Sequence, residues 1–107
     1  MRIEECPVSA TLEVIGGKWK PLILWALKQG PHRFNELRHK VPGASQKVLT
    51  EQLRQLEQSG IIERRVLPGT RAHTEYRLSV YGITLRPALA ALAKWGEQHR
   101  KRPAARP

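Results

Sequence analysis

A change in hydrophobic periodicity near Gly60 is the feature that most limits the possible folds of this chain. Before Gly60, apolar residues recur at helical spacing, whereas the later segments "IIERRVL" and "TEYRL" alternate β-branched or aromatic residues with charged ones. The residues between these segments, "PGTRAH", are typical of a turn and predict a two-stranded hairpin. A lone hairpin is marginally stable in water, so it must pack against the helices. We therefore predict a mainly α fold with a small β-hairpin, in the α+β class.

Helical spacing predicts four helices before the hairpin and a helical region after it. The approximate ranges of the first four are 7–15, 19–29, 34–41 and 45–59. Gly16 and Gly17 end the first helix, and Ser45 is placed to cap the fourth. A tight turn, "PGAS", joins the third and fourth helices, which makes them a helix-turn-helix candidate. Ser79 can cap the last helical region, in which Pro87 forces a kink or a restart near Arg86.

This order of elements predicts a winged helix-turn-helix with an additional helix at each end. A chain of 107 residues provides for one domain, which we place at residues 1–99. The final segment 100–107, "RKRPAARP", has no apolar periodicity and is predicted to be a disordered basic tail.

The formal net charge of +10 makes nucleic acid the first partner to consider and an anionic membrane surface the second. No segment is apolar and long enough for a signal peptide or a transmembrane helix, so we expect neither, and no membrane partner. The single cysteine, Cys6, excludes a disulfide within the chain and is consistent with the reducing cytoplasm. It leaves open a disulfide between two chains.

The stretch "VIGGKWKPLIL" at residues 14–24 raises the possibility of a phosphate-binding loop, which its surroundings argue against. A Walker-type loop follows a strand and has Ser or Thr after its lysine, whereas here a helix precedes Gly16 and Trp19 follows Lys18. The four histidines fall on at least three different elements without metal-ligand spacing, and His32 and His39 are predicted to be surface residues. We therefore expect no enzymatic activity, no metal and no cofactor.

The outer face of the fourth helix carries side chains suited to contacting DNA. Advancing about 100° per residue from Leu49 places four polar residues roughly opposite the stripe of leucines, namely Lys47, Glu51, Arg54 and Gln58. Thr50 lies at the edge of this face, and Ser45 and Gln46 lie at the N-terminus of the helix. Amine, guanidinium, amide and hydroxyl groups can bond base edges or phosphates, and the N-terminus of such a helix usually enters the major groove. An ordinary solvated helix could look the same, but the hairpin and net charge favour DNA. The candidate contacts are Ser45, Gln46, Lys47, Thr50, Glu51 and Arg54.

Basic residues outside this helix extend the candidate DNA surface. Arg71, near the hairpin tip, could contact phosphate or enter a narrow minor groove, although a merely solvated turn is the alternative. Lys18 and Lys20, at the start of the second helix, could contact phosphate from a helix N-terminus.

Several motifs taken together resemble the HxlR-type family of bacterial winged helix-turn-helix transcriptional regulators. They are "CPV" at Cys6, "VIGGKWKPLIL", "RFNELR", "PGASQKVLTEQLRQLEQSGII", "EYRLSVYG" and the pair Trp95-Gly96. The resemblance implies a recognition helix from Ser45 to Gln58 and a wing from Ile62 to Leu78. It also implies a homodimer whose first and last helices pair across a two-fold axis. The dimer surface would include Val8, Leu12, Ile15, Leu89, Leu92 and Trp95.

Cys6 matches the cysteine of the family's "CP" motif, which in some relatives senses oxidants or electrophiles. Reaction requires an accessible thiol with a favoured thiolate, which Arg2 would help and Glu4 and Glu5 would oppose. The alternative is a small apolar residue packed at the dimer interface. Cys6 is therefore a candidate redox-sensing residue.

These features predict a sequence-specific, cytoplasmic regulator of transcription that binds double-stranded DNA. The family resemblance implies that it acts as a homodimer on operators with two half-sites. The alternatives are an architectural protein that binds DNA without regard to sequence, and an interaction module that has lost DNA binding. Binding that falls steeply with salt for every sequence alike would favour the architectural protein.

Overall fold

Helices make up most of the fold, and one small sheet packs against them. The computed structural model describes residues 2–69 and 73–103. A short 3-10 turn, Ile3–Glu5, precedes the main elements. In chain order these are α1 (Pro7–Ile15), α2 (Lys20–Leu27), β1 (His32–Arg33), α3 (Phe34–Lys40), α4 (Gln46–Gln58), β2 (Ile62–Leu67), β3 (His73–Leu78), α5 (Val80–Ile83) and α6 (Arg86–Lys101). The predicted α+β class and winged helix-turn-helix order are confirmed.

The helices begin and end at the residues whose chemistry favours those positions. α1 ends at Gly16, and the following Gly17 has a φ of 90°, a conformation that other residues rarely adopt. Ser45 caps α4 and Ser79 caps α5 through their side-chain oxygens. α6 starts at Arg86 with Pro87 in its first turn, where the missing N–H of proline costs nothing. The predicted restart of the helix near Arg86 is confirmed.

The sheet has three antiparallel strands in the order β1-β3-β2, one more than the predicted hairpin. The hairpin pairs Ile62 with Leu78 at its base and Leu67 with His73 towards its tip. The additional strand β1 pairs His32 with Tyr76. This pairing buries His32, whose Nδ1 lies 2.7 Å from the carbonyl oxygen of Gly30, so its predicted surface position is wrong.

One hydrophobic core joins the helices to the base of the sheet. Its largest fully buried side chains are Ile23, Leu24, Leu27, Leu37, Val41, Leu49, Leu53, Leu56, Ile61 and Ile62. Burying such side chains is the dominant favourable term in folding. Ile15 and Leu89, which the family resemblance assigned to the dimer surface, are only 4% and 2% exposed and belong to this core. That assignment is corrected for both residues, because the single chain already covers them.

The C-terminal helix is longer than the sequence indicates. α6 continues to Lys101, so Arg100 and Lys101 are helical rather than part of the predicted tail. Glu97 lies 3.9 Å from Arg100 and 3.8 Å from Lys101, one helical turn apart, and cations near a helix C-terminus interact favourably with its dipole. Positions 104–107 lie outside the described residues. Over the described ranges, no helix is both long and apolar enough to cross a membrane.

Candidate nucleic-acid interface

The turn between α3 and α4 packs against the core through Val41 and against Trp19 through Gly43. Val41 is fully buried, which anchors the end of α3. Gly43 has a φ of 96°, and a Cβ atom built on it would lie 3.5 Å from the ring of Trp19. The tight connection thus depends on a glycine that can adopt a left-handed conformation beside an aromatic ring. The packing of Trp19 beside Gly43 therefore restrains the turn that leads into α4.

The orientation of α4 is set by its buried stripe. Leu49, Leu53 and Leu56 are at most 1% exposed, so rotation of the helix about its axis would expose apolar surface. At the N-terminus, the Ser45 Oγ accepts a hydrogen bond from the backbone N–H of Val48 at 3.1 Å. The helix therefore presents one defined face to solvent.

That outward face gathers the predicted contacts of the recognition helix. All six side chains predicted there are exposed in the single chain, namely those of Ser45, Gln46, Lys47, Thr50, Glu51 and Arg54. These six residues lie within ten consecutive positions, from the cap Ser45 to Arg54. Together they combine hydrogen-bond donors and acceptors with two cations and one carboxylate. Such a mixture can distinguish base edges in a major groove as well as contact phosphates.

The two cations of this face differ in their surroundings. The Arg54 Nη1 lies 3.6 Å from the Glu51 Oε2, and the other oxygen of Glu51 accepts a hydrogen bond from Gln55 at 3.3 Å. Lys47 makes no ion pair with any described residue. The Lys47 ammonium group thus has no carboxylate partner among the described residues, whereas the Arg54 guanidinium already has one.

Lys18 extends this surface along the side of the turn. Its Nζ lies 4.7 Å from the centroid of the Trp19 ring, in a cation–π arrangement, and its side chain is exposed. Because Trp19 also packs beside Gly43, the contact brings Lys18 to the helix-turn-helix. Lys20, in the first turn of α2, is only partly exposed.

Ion pairs restrain most of the described arginines of the wing. Arg64 lies 3.9 Å from Glu57 of α4, and Arg77 lies 3.1 Å from Glu63 on the neighbouring strand. Arg65 is exposed and forms no ion pair within the described part of the chain. Arg71, the predicted tip contact, lies outside the described residues. Arg65 is therefore the described wing cation most available to a polyanion.

The basic end of α3 was not among the residues predicted to contact DNA. Arg38 and His39 are exposed and line one shallow depression together with Asn35, Gly43 and Ala44. This depression lies beside the turn that leads into α4. Basic residues in the last turn of a helix before a helix-turn-helix connection are the sequence signal that could have identified them.

Two described groups, Glu36 on α3 and Tyr76 on β3, have pKa values shifted from their ordinary ones. The Glu36 carboxylate accepts a hydrogen bond from the backbone N–H of Arg33 at 2.7 Å, which lowers the pKa of Glu36. Glu36 therefore stays ionised at the N-terminus of α3 and satisfies a free N–H there. Partial burial in the sheet raises the pKa of Tyr76, so its phenol stays neutral.

Removing the Ser45 hydroxyl is expected to separate its capping role from any DNA contact. Ser45→Ala should lower the free energy of unfolding by about 1 kcal/mol, because the Val48 N–H loses its acceptor, while Ser45→Gly should cost only a few tenths of a kcal/mol. Urea denaturation measures both. An equal loss of DNA affinity in the two variants indicates a hydroxyl contact with DNA. An unfolding free energy unchanged by Ser45→Ala contradicts the cap.

Comparison with known proteins identifies close relatives of this architecture. The family model for the HxlR-like helix-turn-helix matches residues 14–104. An uncharacterised HTH-type transcriptional regulator of Bacillus subtilis (strain 168), YdeP, is 44% identical over 92% of this chain and 77% of its own length.

Two solved structures share the fold. The redox regulator HypR in its reduced form is similar with a TM-score of 0.84 and 43% identity, covering 89% of this chain and 94% of the other. The reduced transcriptional regulator YodB from B. subtilis is similar with a TM-score of 0.77 and 37% identity, covering 87% of this chain and 92% of that one.

Proposed function

The chain belongs to the HxlR-like helix-turn-helix family of transcriptional regulators, and from that premise we propose that it acts as a homodimer on operators with two half-sites. The observation that carries the proposal is the outward face of α4, whose orientation is locked by three buried leucines and a serine cap. The N-terminal part of α4 enters the major groove, with Lys47 and Thr50 placed towards base edges or phosphates.

Contacts to the DNA backbone hold this helix in register. The described cations around α4 that are exposed and without ion-pair partners are suited to phosphate oxygens, which position a protein without reading sequence. Three of them are Lys18 beside the turn, Arg38 at the end of α3, and Arg65 on the wing. Arg71 is proposed to extend the wing contact to the phosphates or into the minor groove.

Exposed apolar residues on the two end helices support the homodimer. Val8 and Leu12 on α1 are 64% and 57% exposed, and Leu92 and Trp95 on α6 are 54% and 67% exposed. Each pair lies one turn apart on its helix, so each forms a stripe that a second copy could cover. Two-fold pairing of helix-turn-helix units would place half-sites about 34–36 Å apart or at multiples of that distance.

A competition experiment tests this function against the architectural alternative. A gel-shift titration uses the region upstream of the protein's own gene, with random DNA as competitor, at several salt concentrations. A specific regulator should prefer its operator by roughly 10³ or more at physiological salt. Equal competition by random DNA at every salt concentration would favour the architectural protein. Sedimentation of the complex gives the number of protein chains on each operator.

Cys6 is proposed to control DNA binding through oxidation or alkylation. Its side chain is partly accessible and stands at the N-terminal cap of α1, one of the two helices proposed to form the dimer. HypR, a redox regulator by name, shares the fold. Because the chain has one cysteine, a disulfide between subunits of the dimer would join the two copies of Cys6. Modification there would alter the pairing of α1 and so the spacing of the two recognition helices.

Treatment with diamide or a quinone is expected to change the natural chain and leave Cys6→Ser unchanged. The natural chain should show a covalent dimer on a non-reducing gel or an adduct by intact mass, together with altered operator affinity. Reduction with dithiothreitol is the control for a disulfide. An unmodified thiol with unaltered affinity after both treatments would contradict sensing by Cys6.

A further inference from the structure

A cavity at the base of the wing is not used by any role described above. Its volume is about 320 Å³, at the lower end of the range for small-molecule sites. Four parts of the fold surround it: the end of α2 with the loop after it, the base of the hairpin, α5, and the first turn of α6. The cavity therefore lies where the wing meets the helix proposed to form the dimer.

Much of the cavity lining is apolar, and part of it is open to solvent. Leu27 and Leu78, both buried in the core, line the cavity together with the exposed Pro31. Val80 and Ile83, both on α5, line it while being 86% and 43% exposed. A bound apolar group would remove the exposed surface of both side chains from water, which is favourable in proportion to the area covered.

The remaining lining residues carry an excess of positive charge. Arg77 donates to the Glu63 carboxylate through Nε and Nη2, both at 3.1 Å, so this pair is electrically balanced. Arg86 uses its Nη2 to donate to the carbonyl oxygen of Lys28 at 3.3 Å and has no carboxylate partner among the described residues. One uncompensated guanidinium with free N–H donors thus borders an apolar wall.

We infer that this cavity binds a small amphipathic carboxylate, with its carboxylate on Arg86 and its apolar part against Val80 and Ile83. A guanidinium can bind a carboxylate through two parallel hydrogen bonds, which fixes the orientation of the ligand. A simple inorganic anion would leave the apolar wall uncovered, and a neutral apolar molecule would leave the guanidinium unused. An arylcarboxylate of benzoate size satisfies both sides.

This inference deepens the proposed function, on which its regulatory consequence rests. A ligand in the cavity would contact β3 of the wing, α5 and the start of α6 at the same time. It would thereby favour one position of the wing relative to the proposed dimer helix. Binding that differs between the free and operator-bound protein must change operator affinity by the same factor.

Titration with benzoate, followed by amide NMR of the full chain without DNA, tests the site itself. We expect saturable shifts confined to residues 27–31, 63 and 77–86, with benzamide and inorganic phosphate each binding at least about tenfold more weakly because each lacks one half of the interaction. Arg86→Gln should weaken benzoate roughly tenfold or more. The matched control, Arg100→Gln, removes the same charge from the other end of α6 and should bind benzoate normally.

Two results would overturn the site. One is equal benzoate affinity in Arg86→Gln and the natural chain, and the other is shifts that lie outside the cavity or follow ionic strength alone. Circular dichroism is used to check that Arg86→Gln leaves the fold intact. Repeating the gel shift with and without benzoate then tests regulation. Benzoate binding without operator binding would contradict the proposed function, while operator binding without benzoate binding would contradict only this inference.

Discussion

The double variant Lys47→Ala, Arg54→Ala is expected to bind the operator roughly 100-fold more weakly than the natural chain, or worse. Each side chain in a good contact with a base or phosphate contributes about 1–3 kcal/mol, and the two lie on the same exposed face of α4. The loss of binding free energy from Lys47→Ala should reflect only its own contact with DNA, because no described carboxylate pairs with Lys47. The effect of Arg54→Ala on affinity also includes loss of the ion pair with Glu51, whose carboxylate oxygen lies 3.6 Å from the Arg54 guanidinium.

A matched variant separates contact from net charge. The double variant Lys94→Ala, Lys101→Ala also removes two positive charges, but from α6. Both side chains are exposed and lie seven residues apart on one side of that helix. This control should lose affinity only slightly, by the same factor for operator and random DNA. Unchanged operator affinity in the α4 double variant would contradict α4 as the recognition helix. A natural chain that binds no operator at all would favour an interaction module that has lost DNA binding.

Gly82→Ala is expected to lower the free energy of unfolding by about 3 kcal/mol or more, the upper range for overpacking a rigid core. Gly82 is buried in α5, and an added Cβ would overlap the carbonyl oxygen of Ile61. The backbone cannot easily retreat, because Ser79 ties the two segments together. Its Oγ lies 2.6 Å from the carbonyl oxygen of Gly60 and accepts a hydrogen bond from the Gly82 N–H at 2.9 Å.

Thermal denaturation measures the Gly82 effect. A loss of this size corresponds to a fall in Tm of about 12 °C or more for a domain of this length. Val80→Ala, in the same short helix but exposed, is the control and should stay within about 0.5 kcal/mol of the natural chain. A fall in Tm below about 4 °C for Gly82→Ala would contradict the close approach of α5 to Ile61.

Local sequence signals predicted the elements that carry the candidate site. Ser45 and the leucine spacing of α4 determine both where the helix starts and which face it buries, and these signals lie within a few turns of each other. The structure confirms the predicted cap and stripe. The pairing of Gly16 and Gly17 likewise predicted the end of α1 correctly, because a helix terminus is a local feature.

Features that depend on distant residues could not be predicted in this way. Strand β1 is two residues long, too short for periodicity, and forms because His32 pairs with Tyr76, which follows it by 44 positions (76 − 32). The close approach of Gly82 to Ile61 likewise joins positions that no local pattern connects. Both features arise from tertiary packing, which overrides local propensity.

The errors at Ile15 and Leu89 have a different origin. An apolar stripe on a helix shows that something covers it, but it does not distinguish the chain's own core from a second chain. On α6, Leu89 faces the core, whereas Leu92 and Trp95 remain exposed. Sequence spacing places all three on neighbouring turns, so only the packed structure divides them.

Because α6 buries Leu89 in its own core and exposes Leu92 and Trp95, folding of the chain and pairing of two chains are linked. In the proposed dimer, one helix contributes both to the core of its own chain and to the contact with its partner. Pairing then stabilises the folded chain by mass action, and melting depends on protein concentration. Transiently unfolded chains are removed by proteases, so a shift of one or two kcal/mol changes abundance severalfold. A cell that makes more of this regulator would therefore also extend the lifetime of each copy.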